Sequence, residues 1–212
     1  MARSPQSEKL VIDGPAGRLE ALVEAPASVP RGAAVVCHPH PLHGGTMQNK
    51  VVHTLARAFT ACDMLALRFN FRGVGESEGD YDEGRGELED ALAAAREAGR
   101  RVPGAPLWLA GFSFGAAVAI RAAVELGAAG LVSVAPAVGR LGAPGDAVPR
   151  CPWLVVQGDE DELVNVDDTI EWLNALDPGP ELRVFPGASH FFHGRLVELR
   201  RTVEAFVREH SS

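Results

Sequence analysis

Paired cysteines, an excess of basic charge and an uninterrupted apolar run are all missing from this 212-residue chain. Its three cysteines, Cys37, Cys62 and Cys151, stand far apart with no C-x-x-C pair. That spacing excludes a disulfide framework and suits reduced thiols. A net charge of −8 argues against a nucleic-acid or anionic-membrane surface. The longest apolar stretch, GAAVAIRAAVELGAAGLVSVAPAVG, is broken by Arg121, Glu125 and several glycines. It reads as a buried helix followed by a strand, not as a membrane span. The opening MARSPQSEKL lacks the apolar core of a secretory signal, so the expected location is cytoplasmic, with residues 1–8 a flexible terminus. A phosphate-binding loop is absent too. Gly73, Gly75 and Gly79 in FRGVGESEG miss the G-x-G-x-x-G spacing, and no P-loop lysine follows.

What the chain does have is 46% apolar residues, enough for a substantial core, arranged in a repeating order. KLVIDGPAGRLEALVEAP predicts an antiparallel hairpin turning at Gly-Pro-Ala-Gly. GAAVVCHP is a short, wholly apolar strand ended by Pro39. Val52, Leu55 and Phe59 then share one face of a helix between Met47 and Thr60. MLALRFNFRG is a second buried strand, and DEGRGELEDALAAAREAGR a helix expected to stop at Gly99. PLWLAGFS, GLVSVAP, PWLVVQGDED and ELRVFPGASH complete the strands. Helices FGAAVAIRAAVEL and VDDTIEWLNAL lie among them, and a last helix from Leu196 aligns Leu199, Val203 and Phe206. Alternating strands and helices predict an α/β fold. It is a mostly parallel central sheet with an N-terminal antiparallel hairpin and helices on both faces, in a single domain over 1–212.

Ligands of such sheets bind beyond the carboxyl ends of the strands, which directs attention to the polar residues there. GFSFG, Gly111 to Gly115, lies between a strand and a helix in the G-x-S-x-G spacing of a nucleophile elbow. The turn forces a positive φ on Ser113 and leaves no room for side chains at 111 and 115. A serine hydroxyl needs a base and an orienting group. Asp159, Glu160, Asp161 and Glu162 follow one later strand, and His190 and His193 follow the last.

CHPHPLHGGT carries His38, His40 and His43 in a spacing that suggests half of a zinc site. The pattern H-x-H-x-D-H would need an aspartate where Leu42 stands, together with distant ligands of a two-sheet fold. No metal and no cofactor are expected.

Taken together, these motifs resemble the α/β-hydrolase superfamily over about residues 10–210. HPHPLHGGTMQNK and NFRGVGES resemble small, lidless bacterial serine hydrolases near the dienelactone-hydrolase-like branch. Dienelactone hydrolases use a cysteine nucleophile, and here the position is Ser113, so their substrate does not carry over. The resemblance implies the chain order serine, acid, histidine. GDEDELV is similar to the family's G-D-x-D-x-x-V, which selects Asp161 as the acid and leaves Asp159 as a turn former. His190 takes the place of the catalytic histidine. The oxyanion hole implied is the backbone N–H of His40 and that of Phe114, with Leu42 and Gly44 as substitutes for His40. His38, Leu42, Gly44 and Gly45 are the expected pocket residues, and Arg72 is expected to be structural. Pro136 to Pro152 is too short to form a lid. The resemblance thus implies a carboxylesterase-like serine hydrolase of small to medium acyl substrates, monomeric or homodimeric. A thioesterase, an amidase or peptidase of the same fold, or a non-catalytic binding protein are the alternatives.

Overall fold

The computed structural model describes residues 6–141 and 148–211. Eight strands form one sheet: β1 (Gln6–Gly14), β2 (Gly17–Ala25), β3 (Gly32–Cys37), β4 (Met64–Phe69), β5 (Leu107–Phe112), β6 (Gly130–Val134), β7 (Trp153–Gly158) and β8 (Glu181–Phe185). Five helices connect or flank them: α1 (Lys50–Ala61), α2 (Arg85–Arg101), α3 (Phe114–Leu126), α4 (Val166–Asn174) and α5 (Leu196–His210). The strand order is β1-β2-β4-β3-β5-β6-β7-β8. β1, β2 and β4 pair antiparallel, and from β4 to β8 every pairing is parallel. The chain reverses direction across the sheet between β3 and β5, where ligand crevices of this architecture open.

Strands β3, β4, β6 and β7 are buried at every position, as a sheet covered on both faces requires, with Arg68, Ser133 and Gln157 the polar residues among them. One core cluster joins α2 and α3 to one face through Leu67, Phe69, Leu109 and Val118. The other packs α1 and α5 on the opposite face through Phe59, Trp108, Val203 and Phe206. Among the described residues no helix is long and apolar enough to cross a membrane.

Three boundaries differ from the sequence reading. Gln6 to Glu8, placed with the flexible terminus, belong to β1 and pair with Val23 to Ala25. Residues 1–5 of that expected segment lie outside the described residues. Helix α1 starts only at Lys50, because Asn49 caps it by accepting the Val51 N–H at 2.8 Å. Helix α2 runs through Gly99 to Arg101. Gly99 keeps a helical backbone, and Arg101 ties the last turn to Glu97 and to Glu8 on β1. Positive φ comes later, at Gly104 (φ 75°).

Candidate active site

Strand β5 delivers Ser113 into a turn at φ 56° and ψ −118°, immediately before α3. Two contacts explain the glycines around it. A Cβ on Gly111 would lie 2.2 Å from the Gly115 carbonyl oxygen, and one on Gly115 would lie 2.3 Å from that of His38. The bend therefore tolerates no side chain at either position, as the G-x-S-x-G spacing requires. Ser113 O accepts the N–H groups of Ala116 and Ala117. Those of Phe114 and Gly115, at the front of the helix, have no intrahelical acceptor and carry the positive end of its dipole. Among the described residues the Ser113 hydroxyl makes no hydrogen bond.

The turn after β7 carries Asp161 and the turn after β8 carries His190, and the structure brings the two together. His190 Nδ1 lies 2.8 Å from Asp161 Oδ2 and 3.0 Å from Oδ1. Both side chains are buried. The carboxylate is further held by the N–H groups of Leu163 (2.9 Å) and Val164 (2.8 Å) and by Gln157 Nε2 (2.9 Å). Burial alone would raise its pKa. The His190 hydrogen bond and the two backbone donors outweigh that effect and hold it below the usual carboxylate range. A carboxylate facing Nδ1 fixes that nitrogen as the N–H donor and leaves Nε2 as the basic atom. The His190 ring packs 4.9 Å from that of Phe112, the residue preceding Ser113.

Other acidic and basic candidates have different work. Asp159 accepts the Gly187 N–H at 2.6 Å and so ties the turn after β7 to the turn after β8. Glu162 accepts the His190 backbone N–H at 3.0 Å. His193 lies 2.8 Å from Lys50 Nζ on the exterior. Arg72 is committed to Asp90 through bonds of 2.8 and 3.0 Å and is structural.

The three histidines after β3 separate in role. His38 is fully buried. Its Nε2 accepts the Phe71 N–H at 3.0 Å, so the proton sits on Nδ1 and is donated to Pro39 O at 2.6 Å. Burial lowers its pKa to about 4. The expectation that His38 lines the pocket is therefore corrected. Both ring nitrogens are used inside the protein, where they hold the β3 loop against β4. His40 precedes a short 3₁₀ turn, Pro41–His43, with Leu42 N 3.3 Å from its Nδ1. Arg140 Nη2 lies 2.9 Å from Nε2, and a guanidinium can only donate, so Nε2 is the acceptor and Nδ1 carries the ring proton. The Leu42 side chain is 67% exposed. Gly44 closes the turn at φ 77°. Gly45 packs where a Cβ would sit 2.1 Å from Pro39 O. His43 stacks on His40 at 4.4 Å. Among the described residues no three His, Cys, Asp or Glu side chains are grouped to hold a metal ion.

A groove of about 260 Å³ is lined by Ala137, Val138, Arg140, Leu163, Val164 and Asn165 among others. Ala137 N–H donates to Ser113 O at 3.3 Å along one wall. The opposite wall is the turn that holds Asp161. Gln157, Tyr81 and Arg140 are the residues here that the sequence did not single out.

Residues 30–145 match the model of the Hydrolase_4 family, described as serine aminopeptidase, S33. The uncharacterized protein RP471 of Rickettsia prowazekii (strain Madrid E) is 32% identical over 209 residues, covering 94% of this chain and 88% of that protein. XC6422 of Xanthomonas campestris, an α/β serine hydrolase without a lid, is similar at a TM-score of 0.91 and 42% identity, over 99% of this chain and 97% of that one. An alpha-beta serine hydrolase homologue from Coxiella burnetii is similar at 0.87 and 44% identity, over 93% and 96%.

Proposed function

The chain belongs to the Hydrolase_4 family and is a lidless α/β serine hydrolase, and on that premise we propose that it cleaves small to medium carboxylic esters through an acyl-enzyme on Ser113. The observation that carries this reading is the buried Asp161–His190 pair, bonded at 2.8 Å, beside a serine held at φ 56° before a helix. His190 Nε2 takes the hydroxyl proton as Ser113 Oγ attacks the carbonyl carbon. Asp161 stabilises the imidazolium without taking its proton. The oxyanion is received by the N–H groups of His40 and Phe114. His190 then protonates the leaving group, and water repeats the sequence to release the acid and restore Ser113.

With no lid to cover a long chain, a site open to water favours short acyl chains. A small amide or peptide is the second reading, favoured by the description of the matched family. We expect a fluorophosphonate probe to label Ser113 with EDTA present or absent, and Ser113→Ala or His190→Ala to abolish labelling. Short p-nitrophenyl esters should be turned over faster than long ones. Labelling elsewhere, or none on folded protein, would refute the proposal.

A further inference from the structure

Next to the elbow, Arg140 reaches from the short 3₁₀ turn Val138–Arg140 after β6 across to the β3 loop. Its Nη2 donates to His40 Nε2 at 2.9 Å and its Nη1 to the Tyr81 hydroxyl at 3.2 Å. The Tyr81 hydroxyl is itself 3.2 Å from the same histidine nitrogen. The guanidinium lies 5.5 Å from the centroid of the Phe114 ring, and the His40 ring packs 5.0 Å from it. A cation is thus held beside both residues whose N–H groups are proposed to receive the oxyanion.

Every group holding that cation is neutral. Burial first, then the charges of Arg140 and His43, lower the His40 pKa to about 4, so the imidazole is uncharged at neutral pH. Among the described residues no carboxylate lies within ion-pair distance of Arg140. Elsewhere in the fold Arg72, Arg100, Arg101 and Arg200 are matched with Asp90, Glu97, Glu8 and Glu204. A guanidinium has five N–H donors in a planar fork, and the two bonds here leave its remaining donors for a planar anion. The protein as a whole carries −8 and repels anionic solutes. An unmatched cation that lines the groove and lies over Phe114, the residue after Ser113, is therefore a local reversal of that field.

We infer that Arg140, with Tyr81, forms a carboxylate-recognising subsite, and that the acyl substrate carries a carboxylate a few bonds from its scissile carbonyl. The carboxylate accepts two guanidinium N–H groups, and the tyrosine hydroxyl supports the same fork. Phosphate is disfavoured because a single fork would have to balance its second charge. The inference rests on the serine-hydrolase reading for the carbonyl it places, but recognition of the anion can be measured apart from turnover.

The test compares kcat/KM for p-nitrophenyl butyrate and p-nitrophenyl hemisuccinate, which share a leaving group and are close in chain length. The expected wild-type ratio favours the hemisuccinate about tenfold, the weight of one charge-assisted hydrogen bond in an accessible site, and acts through KM. Arg140→Gln should bring the ratio close to one, and Arg140→Lys should keep part of it. A wild-type ratio near one overturns the subsite. So does an Arg140→Gln variant that slows both esters and leaves the ratio unchanged, because Arg140 would then only brace the loop. Succinate binding to the Ser113→Ala protein, measured by calorimetry, separates this idea from the hydrolase reading. Binding that weakens at least fivefold on adding Arg140→Gln supports the subsite even if no ester is cleaved, and absence of binding counts against it.

Discussion

Replacing the proposed nucleophile by glycine should make the protein more stable while removing its activity. Ser113 sits at φ 56° and ψ −118°, a region that L side chains rarely occupy. Holding a non-glycine residue there costs about 1–3 kcal/mol. Glycine relieves that strain but returns about 0.5–1 kcal/mol through the greater freedom of the unfolded chain. The hydroxyl makes no hydrogen bond among the described residues, so its deletion loses no bond. The net gain is about 0.5–2 kcal/mol, or roughly 1–8 °C in Tm for a chain of this size. Ser113→Ala is the control, because it removes the same oxygen and keeps the Cβ that causes the strain. Calorimetric melts of the two variants in one buffer should place Ser113→Gly above Ser113→Ala. Equal melting points, or the reverse order, would refute the claim that the backbone is strained at this residue.

Two further outcomes follow from buried polar groups. His38 has a folded pKa of about 4, below the ordinary 6.5, so between those pH values the unfolded chain binds a proton that the native one does not. Its contribution is complete above about pH 6.5 and is lost on acidification toward pH 4, at up to about 1.4 kcal/mol per pH unit. Nitrogen NMR at pH 5.5 should still find a neutral ring protonated on Nδ1, and an imidazolium there would contradict the assignment. Gln157 donates through Nε2 to Asp161 at 2.9 Å and to Val164 O at 3.2 Å, and its buried Oε1 has no partner among the described residues. Gln157→Leu should lower kcat about tenfold with little change in melting point, since losing the unpartnered carbonyl offsets losing the donated bonds. In an Asp161→Ala background the same substitution should leave the remaining rate unaltered, and a full tenfold loss there would show that Gln157 acts independently of the acid.

The parts of the site that could be read from sequence are those set by contacts close along the chain. A side chain at 111 would collide inside its own turn, which makes the spacing around Ser113 legible, although the contact that bars one at 115 comes from the His38 carbonyl of the adjoining strand. Asp161 was one of four acidic residues in a row, and it took a family resemblance to prefer it. The reason for that preference lies in β8, since only the return of the chain at His190 distinguishes these carboxylates. The role of His38 is hidden in the sequence because its partner, the Phe71 N–H, comes 33 residues later, just past the end of β4. Arg140 and Tyr81 belong to loops that meet only in three dimensions, and neither sits in a recognisable spacing. Gly99 suggests a helix end, but its backbone stays helical, and α2 closes two residues later at Arg101 with Val102 as its cap.

The elbow and the loop after β3 also prove to be one mechanical unit. Gly115 lets the start of α3 approach the His38 carbonyl more closely than any side chain would allow. The His38 ring fixes Phe71, whose own ring meets Phe114 edge-on at 5.9 Å. The two proposed oxyanion donors, His40 and Phe114, therefore hang from a single buried imidazole that works only when neutral. A proton on His38 Nε2 would turn the acceptor for Phe71 N–H into a second donor and push that contact apart. Acid that reaches His38 should then harm the placement of the oxyanion hole. The separation of that effect from loss of the general base is kinetic: loss of the base alone lowers the rate of Ser113 acylation and recovers at once on neutralisation. Loss of the loop's geometry should in addition weaken a boronic acid or other tetrahedral inhibitor, whose oxygen needs both donors in place.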